Sequence, residues 1–590
     1  MAVDGDRTQP QPTRRGERNA NPQARAQRAR AREWEREYID LARHPADASL
    51  AEGLEPDDIA GRGWVPWQRT DEGLVIAVSA EPSPALVRSA ERILDEPVAD
   101  CVVSTDQGVD EAVTRALGPV IAGEAADGFA DAYPGESARS GLRVWQRLLP
   151  LIVVCVMAAG FFAGPGIGVM VLLIAVNAAL FGLIALKVSA AAAAIGSARA
   201  SGTEPNAASD SMTDADADAL PMYTVLVPVY REANIVHTLL RNIEHLDYPR
   251  SKLDVLLLME EDDHETQQAV RDGEIPDCVR VLVVPGGSPQ TKPRACNYGL
   301  RFARGKYVVI FDAEDRPERG QLRAAVAAFE RPRRPAEREI GALQCRLHYF
   351  NARHNALTRL FAVEYSFWFD AMLPGLQRMG LPIPLGGTSN HFRTELLREI
   401  GGWDAYNVTE DADLGLRIAS RGYQVDILPS ATWEEACSQV RAWIKQRTRW
   451  IKGYMMTSAV NTRRPIAWLR RNGLRALPSL VLLMAGTPFA FLAYPVLLLV
   501  SAVLLIPPVG AAVGLPDWFT VTAISVAIGS QVLMTVVSMI SAWRRYDAKV
   551  ALFALLSPLY WLMHSIAAYR ALWQVYSSPF HWEKTPHGLS

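Results

Sequence analysis

The chain has 590 residues, 49% of them hydrophobic and 21% charged, with a formal net charge of −3. That length exceeds one core and predicts roughly three or four domains, and the charge excludes a general nucleic-acid binder. The six cysteines, Cys101, Cys155, Cys278, Cys296, Cys345 and Cys437, form no CxxC pair or Cys/His ligand spacing, which excludes a zinc site or disulfide framework and fits a reducing cytosolic face.

Residues 1–33 are rich in Arg, Gln, Pro and Ala, and residues 1–45 are expected to be a disordered basic tail. The N-terminus has no apolar core of a secretory signal, so insertion is expected to rest on internal spans. Residues 46–120 read as a small α/β regulatory or docking module. Leu74-Val75-Ile76-Ala77-Val78 is a buried strand, and Pro82-Ser83 starts a helix through about Leu94 with Pro84 in its first turn. Val98 to Val103 is a second strand and Val109 to Leu117 a short helix.

Residues 148–187 are almost uncharged. A bilayer core of about 30 Å needs about 20 apolar residues per helix, so residues 144–188 are expected to hold two transmembrane helices, broken near Gly164-Pro165-Gly166. Arg143, Arg147 and Lys187 flank the block and place both ends in the cytosol. An acidic linker follows at 200–220, then a mixed α/β domain at 221–470. Residues 471–573 return to apolar blocks, and 574–590 form a cytosolic tail. Leu474–Ile506 reads as an interfacial helix leading into one span, Trp518–Trp543 as a span, and Val550–Trp573 as a helix lying in the interface. These readings give four spans; five, with the C-terminus outside, is the competing count.

Within 221–470, Thr224-Val225-Leu226-Val227-Pro228-Val229-Tyr230 is a buried strand, after which Glu232 and Asn234 open a helix. Ligands in α/β sheets sit at the carboxyl ends of strands. Val255 to Met259 ends in Glu260-Glu261-Asp262-Asp263, and Val308 to Phe311 ends in Asp312-Ala313-Glu314-Asp315. Carboxylates so spaced suit Mg²⁺ or Mn²⁺ held against a diphosphate. Lys292 stands where a helix opens, a position that favours phosphate. Gly386-Gly387-Thr388-Ser389-Asn390 permits close backbone approach to a ligand, and Thr409-Glu410-Asp411 precedes an amphipathic helix. Gln446, Arg449 and Trp450 fall at i, i+3 and i+4, one face of a helix. An amide, a guanidinium and an indole together suit hydroxyls, phosphate and the C–H face of a sugar.

These motifs, in this order, resemble glycosyltransferase family 2 of the GT-A fold, a Rossmann-like arrangement. The likeness is to the processive branch of cellulose, hyaluronan and chitin synthases and bacterial exopolysaccharide synthases. It covers about Tyr223 to Gly453 and extends into the flanking helices. It implies a multidomain α/β protein with membrane helices, whose cytosolic catalytic domain lies between transmembrane segments of an inner or plasma membrane. It implies inverting transfer from a UDP-sugar, UDP-glucose first, to a growing β-linked glycan, with Mg²⁺ or Mn²⁺, the lipid bilayer and polysaccharide export components as partners. Transfer of one sugar to a lipid carrier, or a non-catalytic assembly role, are the alternatives. Carried over by position, Pro228, Tyr230, Glu232, Lys292 and Asp312 would contact the nucleotide sugar, and Glu261 or Asp262 the uridine. Asp312 and Glu314 would hold the metal. The family commonly has aspartate where Glu314 stands, so Asp315 shares or takes that role. Asp411, beside Glu410, would be the general base, and Gln446, Arg449 and Trp450 would hold acceptor and diphosphate. Phe580-His581-Trp582-Glu583-Lys584-Thr585-Pro586-His587-Gly588 resembles the gating loop of cellulose synthase, with Trp582, Lys584 and His587 as its functional side chains. Gly63-Trp64-Val65-Pro66-Trp67 through Pro82 resembles the N-terminal domain of type II secretion ATPases, some of which bind cyclic di-GMP. The Arg-Leu-Gly repeat of those binders is absent, which favours a docking module with a protein partner over binding of cyclic di-GMP.

Overall fold

The computed structural model describes residues 22–198, 219–273, 275–335, 337–506, 508 and 512–580. Most of the expected linker at 200–220 and the expected gating side chains Trp582, Lys584 and His587 lie outside those residues. The Arg-rich N-terminal segment departs from the tail expected over 1–45. Pro22–Glu33 is a helix, Ala31 is buried, and Gln27 donates to the Ser79 carbonyl at 2.6 Å. Its short Ala and Gln side chains reach a neighbouring surface, which offsets chain entropy the segment could not offset alone.

The N-terminal unit is a three-stranded sheet of β1 (Trp64–Thr70), β2 (Gly73–Val78) and β3 (Val98–Val103), with β1–β2 antiparallel and β2–β3 parallel. β1 escapes the sequence reading because Pro66 interrupts it. Pro66 is tolerated at the irregularity between Pro66 and Gln68, on an edge strand. The Pro84–Leu94 helix starts as expected, with the Ser83 hydroxyl accepting from the Leu86 N–H at 3.3 Å. The helix expected over Val109–Leu117 instead runs from Asp106 to Ala132. Pro119 does not break it, because Pro119 lies on the exposed side. Ile121, Ala122, Ala125, Ala126 and Phe129 keep a buried stripe going beyond it.

Among the described residues the main sheet has eight strands. In chain order they are β4 (Tyr223–Val229), β5 (Leu253–Glu260), β6 (Val279–Val284), β7 (Tyr307–Ile310), β8 (Arg316–Pro317), β9 (Ile340–Tyr349), β10 (Asn390–Arg393) and β11 (Gln424–Glu434). Their spatial order is 6-5-4-7-10-9-11-8. β4 pairs in parallel with both β5 and β7, Leu226 standing opposite Leu256 and Ile310, while β10 runs antiparallel between β7 and β9. Side chains alternate across the sheet. Val225, Val227, Val255 and Leu257 pack on Leu239, Leu240 and Ile243. Leu226, Leu256 and Ile310 pack on Ala295, Tyr298 and Phe302 of the Lys292–Phe302 helix, and that core continues into Val113, Leu117 and Ile121 of the N-terminal unit. The parallel strands β4, β5 and β7 therefore deliver Tyr230, Glu260 and Asp312 to one edge, where β10 reverses the strand direction.

Among the described residues five helices are long and apolar enough to cross a bilayer: Val144–Ala163, Pro165–Ile195, Leu474–Leu504, Asp517–Arg545 and Ala548–Ser577. That is one more than the four-span reading, and the C-terminal block is among them. The first two meet at Gly164, as the Gly-Pro-Gly signal predicts. The Pro165–Ala198 helix continues beyond Lys187 and lies across the Leu373–Arg378 helix. A Cβ built on Gly375 would stand 2.0 Å from the Ala190 carbonyl oxygen, and Arg378 donates to the Ala193 carbonyl at 2.9 Å. Gly375→Ala should separate the two helices and cost about 1–3 kcal/mol, read as a lower melting temperature in detergent.

Candidate active site

The edge described above opens into one cavity of about 310 Å³. Its end at the strand tips is built from Pro228, Tyr230, Glu232, Glu260, Gln290, Lys292, Asp312 and Glu314. Its middle carries Gly387, Glu410, Asp411, Gln446, Arg449 and Trp450, and its far end Lys187, Glu364, Trp368, Thr487, Phe491 and His564.

Three elements hold the reactive groups in register. The Lys292–Phe302 helix places Lys292, whose ammonium pairs with Asp312 and donates to the Gly387 carbonyl at 2.7 Å. The Glu410–Ser420 helix is pinned by Arg417, which donates to Asp413 at 2.8 Å and to the Gly402 carbonyl at 2.8 Å. The Val440–Thr462 helix carries Gln446, Arg449 and Trp450 on the face that the i, i+3, i+4 spacing predicts. Asn407 ties the Thr409 loop to it by donating to the Thr457 hydroxyl at 3.0 Å. A Cβ built on Gly453 would meet the Thr409 side chain at 2.2 Å. Only glycine lets this helix approach the Glu410–Asp411 turn so closely. Gly453→Val should push Arg449 away from Asp411 and remove activity while the protein still folds, read by turnover alongside circular dichroism.

Burial dominates the electrostatics. The Glu410 carboxyl is pushed up to about 7 by burial and then by the neighbouring Asp411 charge, against the pull of Lys292. Burial likewise raises Asp411, opposed by the Ala412 N–H at 2.7 Å, Lys292 and Arg449. Burial draws the Lys292 ammonium down, but Asp312 and Glu410 outweigh it and hold it above its usual value. Arg449 is drawn down by burial against Glu410, Asp411 and Asp312. A cationic pair thus faces two acids of raised basicity, the disposition expected where a proton is taken and a negative leaving group is received. The buried Oε1 of Gln446 has no protein hydrogen-bond partner among the described residues, so a ligand hydroxyl or water must satisfy it.

Three acids stand differently from the sequence expectation. Asp315 is turned inward and lies outside the cavity wall. Its Oδ2 accepts from the Asp312 N–H at 2.8 Å and pairs with the Thr388 hydroxyl, so it shapes the turn. Glu261 accepts from the Gly286 N–H at 2.7 Å, and Asp262 takes Gln290 at 2.8 Å and the Tyr230 hydroxyl at 3.1 Å, at an exposed rim. The acid that faces the cavity is Glu260, paired with the buried Arg294 at 3.1 Å. The reason is strand phase: β5 extends through Glu260, and this residue shares a face with Leu258, towards the Lys292–Phe302 helix.

Among the described residues no group of three or more His, Cys, Asp or Glu side chains is arranged to hold a metal. Asp312 and Glu314 still line the cavity at the strand tips. Two carboxylates fit Mg²⁺ or Mn²⁺, ions that take most of their shell from water and substrate phosphates.

Several wall residues lie outside the motifs. Glu434 and Glu435 face Asp312 and Glu314 from the end of β11. Burial, then Asp315, raises Glu434 well above the ordinary carboxyl range. Glu364, Tyr365 and Trp368 come from the Ala356–Phe367 helix and its continuation, which no motif marked. The available signal was a reciprocal cap: the Asn355 side chain accepts from the Thr358 N–H, and the Thr358 hydroxyl from the Asn355 N–H, both at 3.0 Å. Glu364 is gripped by Arg447 at 2.8 and 2.6 Å and by the Tyr560 hydroxyl at 2.9 Å. Burial alone would raise it, but Arg447 and His564 bring it down to about 2. This pair locks the Val440–Thr462 helix to the Ala356–Phe367 helix, Tyr560 ties both to the Ala548–Ser577 helix, and the Arg447 guanidinium lies 4.5 Å from the Trp450 ring centre.

Residues 221–453 match the family model described as Glycosyltransferase like family 2, and residues 34–122 match the MshEN domain. A probable glycosyltransferase, YdaM, of Bacillus subtilis is 26% identical over 238 residues, 40% of this chain and 55% of that protein. A beta-monoglucosyldiacylglycerol synthase of Trichormus variabilis is 26% identical over 240 residues, 40% of this chain and 49% of that protein. The chain spans about half the length of these curated relatives. The solved mannosyltransferase PcManGT of Pyrobaculum calidifontis, in complex with GDP-Man and Mn²⁺, aligns over 69% of this chain and 99% of its own with a TM-score of 0.43 and 22% identity. Residues 221–453, which hold most of the mixed sheet and the cavity, are thus similar in sequence to family 2 glycosyltransferases.

Proposed function

We propose that this protein transfers a sugar from a UDP-sugar, with inversion, to an oxygen, of a hydroxyl or of a phosphate, on an acceptor that enters from the bilayer side of the same cavity. The observation that carries this reading is the continuity of one wall from Lys292 and Asp312, past Asp411 and Arg449, to Lys187, Thr487, Phe491 and His564 on apolar helices. Clusters of Arg and Lys at 143–147 and 544–549 favour a cytosolic catalytic face in an inner or plasma membrane.

Asp411, sharing its environment with Glu410, takes the acceptor proton as the oxygen attacks the anomeric carbon. The bond to UDP breaks on the opposite side, and Arg449 and Lys292 receive the charge that develops on the departing diphosphate. Lys292 must exchange part of its contact with Asp312 for phosphate. Bound by Asp312, Glu314 and the diphosphate, Mg²⁺ or Mn²⁺ would supply further neutralisation of that charge. Gln446 and Trp450 orient the acceptor, the amide through the unsatisfied Oε1 and the indole through its face. Chelation with EDTA should abolish turnover, and Mn²⁺ or Mg²⁺ should restore it. Asp312→Asn should raise the metal concentration needed for half-maximal rate.

Two products are compatible with this chemistry. A single sugar on a lipid is the reading put first, supported by the membrane-side wall and by the relative named as a glucosyldiacylglycerol synthase. Repeated transfer, giving a β-linked exopolysaccharide passed across the membrane, is the second, favoured by Gln446, Arg449 and Trp450 lining the cavity together. The test supplies the lipid-embedded protein separately with radiolabelled UDP-glucose, UDP-N-acetylglucosamine and UDP-galactose. Label in the organic phase supports single transfer, label in a high-mass aqueous product supports polymerisation, and no incorporation from any donor refutes both.

A further inference from the structure

Lys187 is the single charged side chain of the Pro165–Ala198 helix. Its position in the sequence suggests a lysine closing a span at the cytosolic surface, but the helix continues beyond it. Ala190 and Ala191 are buried, the former against Gly375. Lys187 therefore does not sit at a free helix end where its stem could lead the charge out to water. It lines the far end of the cavity, beside Trp368, Phe491 and His564. Among the described residues it makes no hydrogen bond and no ion pair. The acid whose charge it feels is Glu364, and both oxygens of that carboxylate are already taken by Arg447.

A cation on an apolar helix is costly unless something pairs with it, and intramembrane cations mark ligand sites. Two other cations of the cavity, Lys292 at the strand tips and Arg449 in the middle, are engaged by Asp312, Glu410 and Asp411 and are suited to the donor diphosphate. Lys187 lies on the wall formed with the apolar helices, where Trp368, Phe369, Ile451 and Phe491 stand beside Glu364, Thr487 and His564. A cation set in such a wall suits an amphiphile with a negative group next to an apolar chain.

We propose that Lys187 binds the phosphate of a phosphate-bearing lipid acceptor and so orients that lipid's nucleophilic oxygen towards Asp411. The inference rests on the transferase reading above and deepens it by naming the acceptor class. The shared chemistry is a lipid phosphate, carried either by a glycerophospholipid headgroup or by a polyprenyl phosphate. Lys187 is a positioning residue: it selects the acceptor and leaves the donor site alone.

The first test does not depend on turnover. Wild-type protein, Lys187→Met and Lys187→Arg are purified with phosphatidylglycerol, with a polyprenyl phosphate and with neutral diacylglycerol in separate samples, and retained lipid is counted by native mass spectrometry. The expected result is retention of at least one of the two lipid phosphates by wild type, at least tenfold loss in Lys187→Met, and recovery in Lys187→Arg. Diacylglycerol should be unaffected by either change. The two phosphate arms identify the source. Equal retention of lipid phosphate by wild type and Lys187→Met overturns the proposal, as does a preference of wild type for diacylglycerol. The second test measures transfer from UDP-glucose with the retained lipid as acceptor. Lys187→Met should raise the acceptor KM at least tenfold and leave the UDP-glucose KM unchanged; equal acceptor KM values overturn the proposal. A protein that retains lipid phosphate through Lys187 but transfers nothing from any donor refutes the transferase reading and leaves the binding site standing.

Discussion

Asp411→Asn is expected to reduce transfer by about 10²–10⁴-fold while UDP binding stays near wild type. The carboxylate lies in the cavity wall close to Gly387, where an added Cβ would stand 3.4 Å from its Oδ2, and beside Glu410. Asparagine preserves the shape and removes the proton acceptor. Loss of UDP binding together with transfer would show that Asp411 is a donor-site group and remove it as the base. The pair also sets the pH dependence. Burial and mutual repulsion raise both carboxyls, Glu410 to about 7, and a base acts only when ionised. Activity should therefore fall as pH drops while still above the range in which an exposed carboxylate titrates. An acid limb near pH 4 would contradict the assignment.

Arg280→Met is expected to cost about 3–5 kcal/mol of stability, the largest effect of any substitution considered away from the cavity. Arg280 on β6 is buried beneath the N-terminal unit. It pairs with Asp110 of the Asp106–Ala132 helix and donates to Asp254 of β5 at 2.9 and 2.6 Å and to the Phe302 carbonyl at 2.9 Å. Asp110 and Asp254 are 1% and 6% exposed, so removing the guanidinium takes the nearest cationic partner from two buried carboxylates at once. Asp254 also accepts from Thr224 at 2.8 Å and from the Arg304 N–H at 3.1 Å, which joins β4, β5, β6 and the end of the Lys292 helix into one network. Asp110→Asn should cost less, because Arg280 keeps Asp254. A melting temperature unchanged by Arg280→Met would show that the N-terminal unit is only loosely seated on the main sheet. The same helix reaches the catalytic side: the Ser137 hydroxyl, just beyond its end, donates to Asp404 at 3.0 Å, three residues before Asn407. The N-terminal unit is thus built into the support of both ends of the site.

Much of the site was legible because its chemistry is written at strand ends and in helical spacing. Val-Pro-Val-Tyr, Phe-Asp-Ala-Glu-Asp and Gln-Arg-Thr-Arg-Trp each state both an element and the residues it delivers. What the sequence hid was orientation and long-range packing. In Glu260-Glu261-Asp262-Asp263 no local signal tells where β5 stops, and one residue of phase decides which acid faces the cavity. Asp315 was drawn inward by Thr388, a partner 73 positions away that comes near only when β10 inserts beside β7. Pro119 reads as a helix stop unless the buried stripe beyond it is known to have a surface to cover. Lys187 reads as a span boundary, because its cavity is assembled from helices nearly 400 residues apart in the chain, from Lys187 to His564.

The most direct test of the central claim follows the anomeric carbon. Protein in lipid nanodiscs is given Mn²⁺ and ¹³C-labelled UDP-glucose, whose sugar is α-linked, and the product is examined by NMR. Single displacement in a cavity shared by Asp411 and the membrane helices predicts a β-glucoside attached to lipid or glycan. An α-glucoside, or free glucose as the sole product, would contradict it.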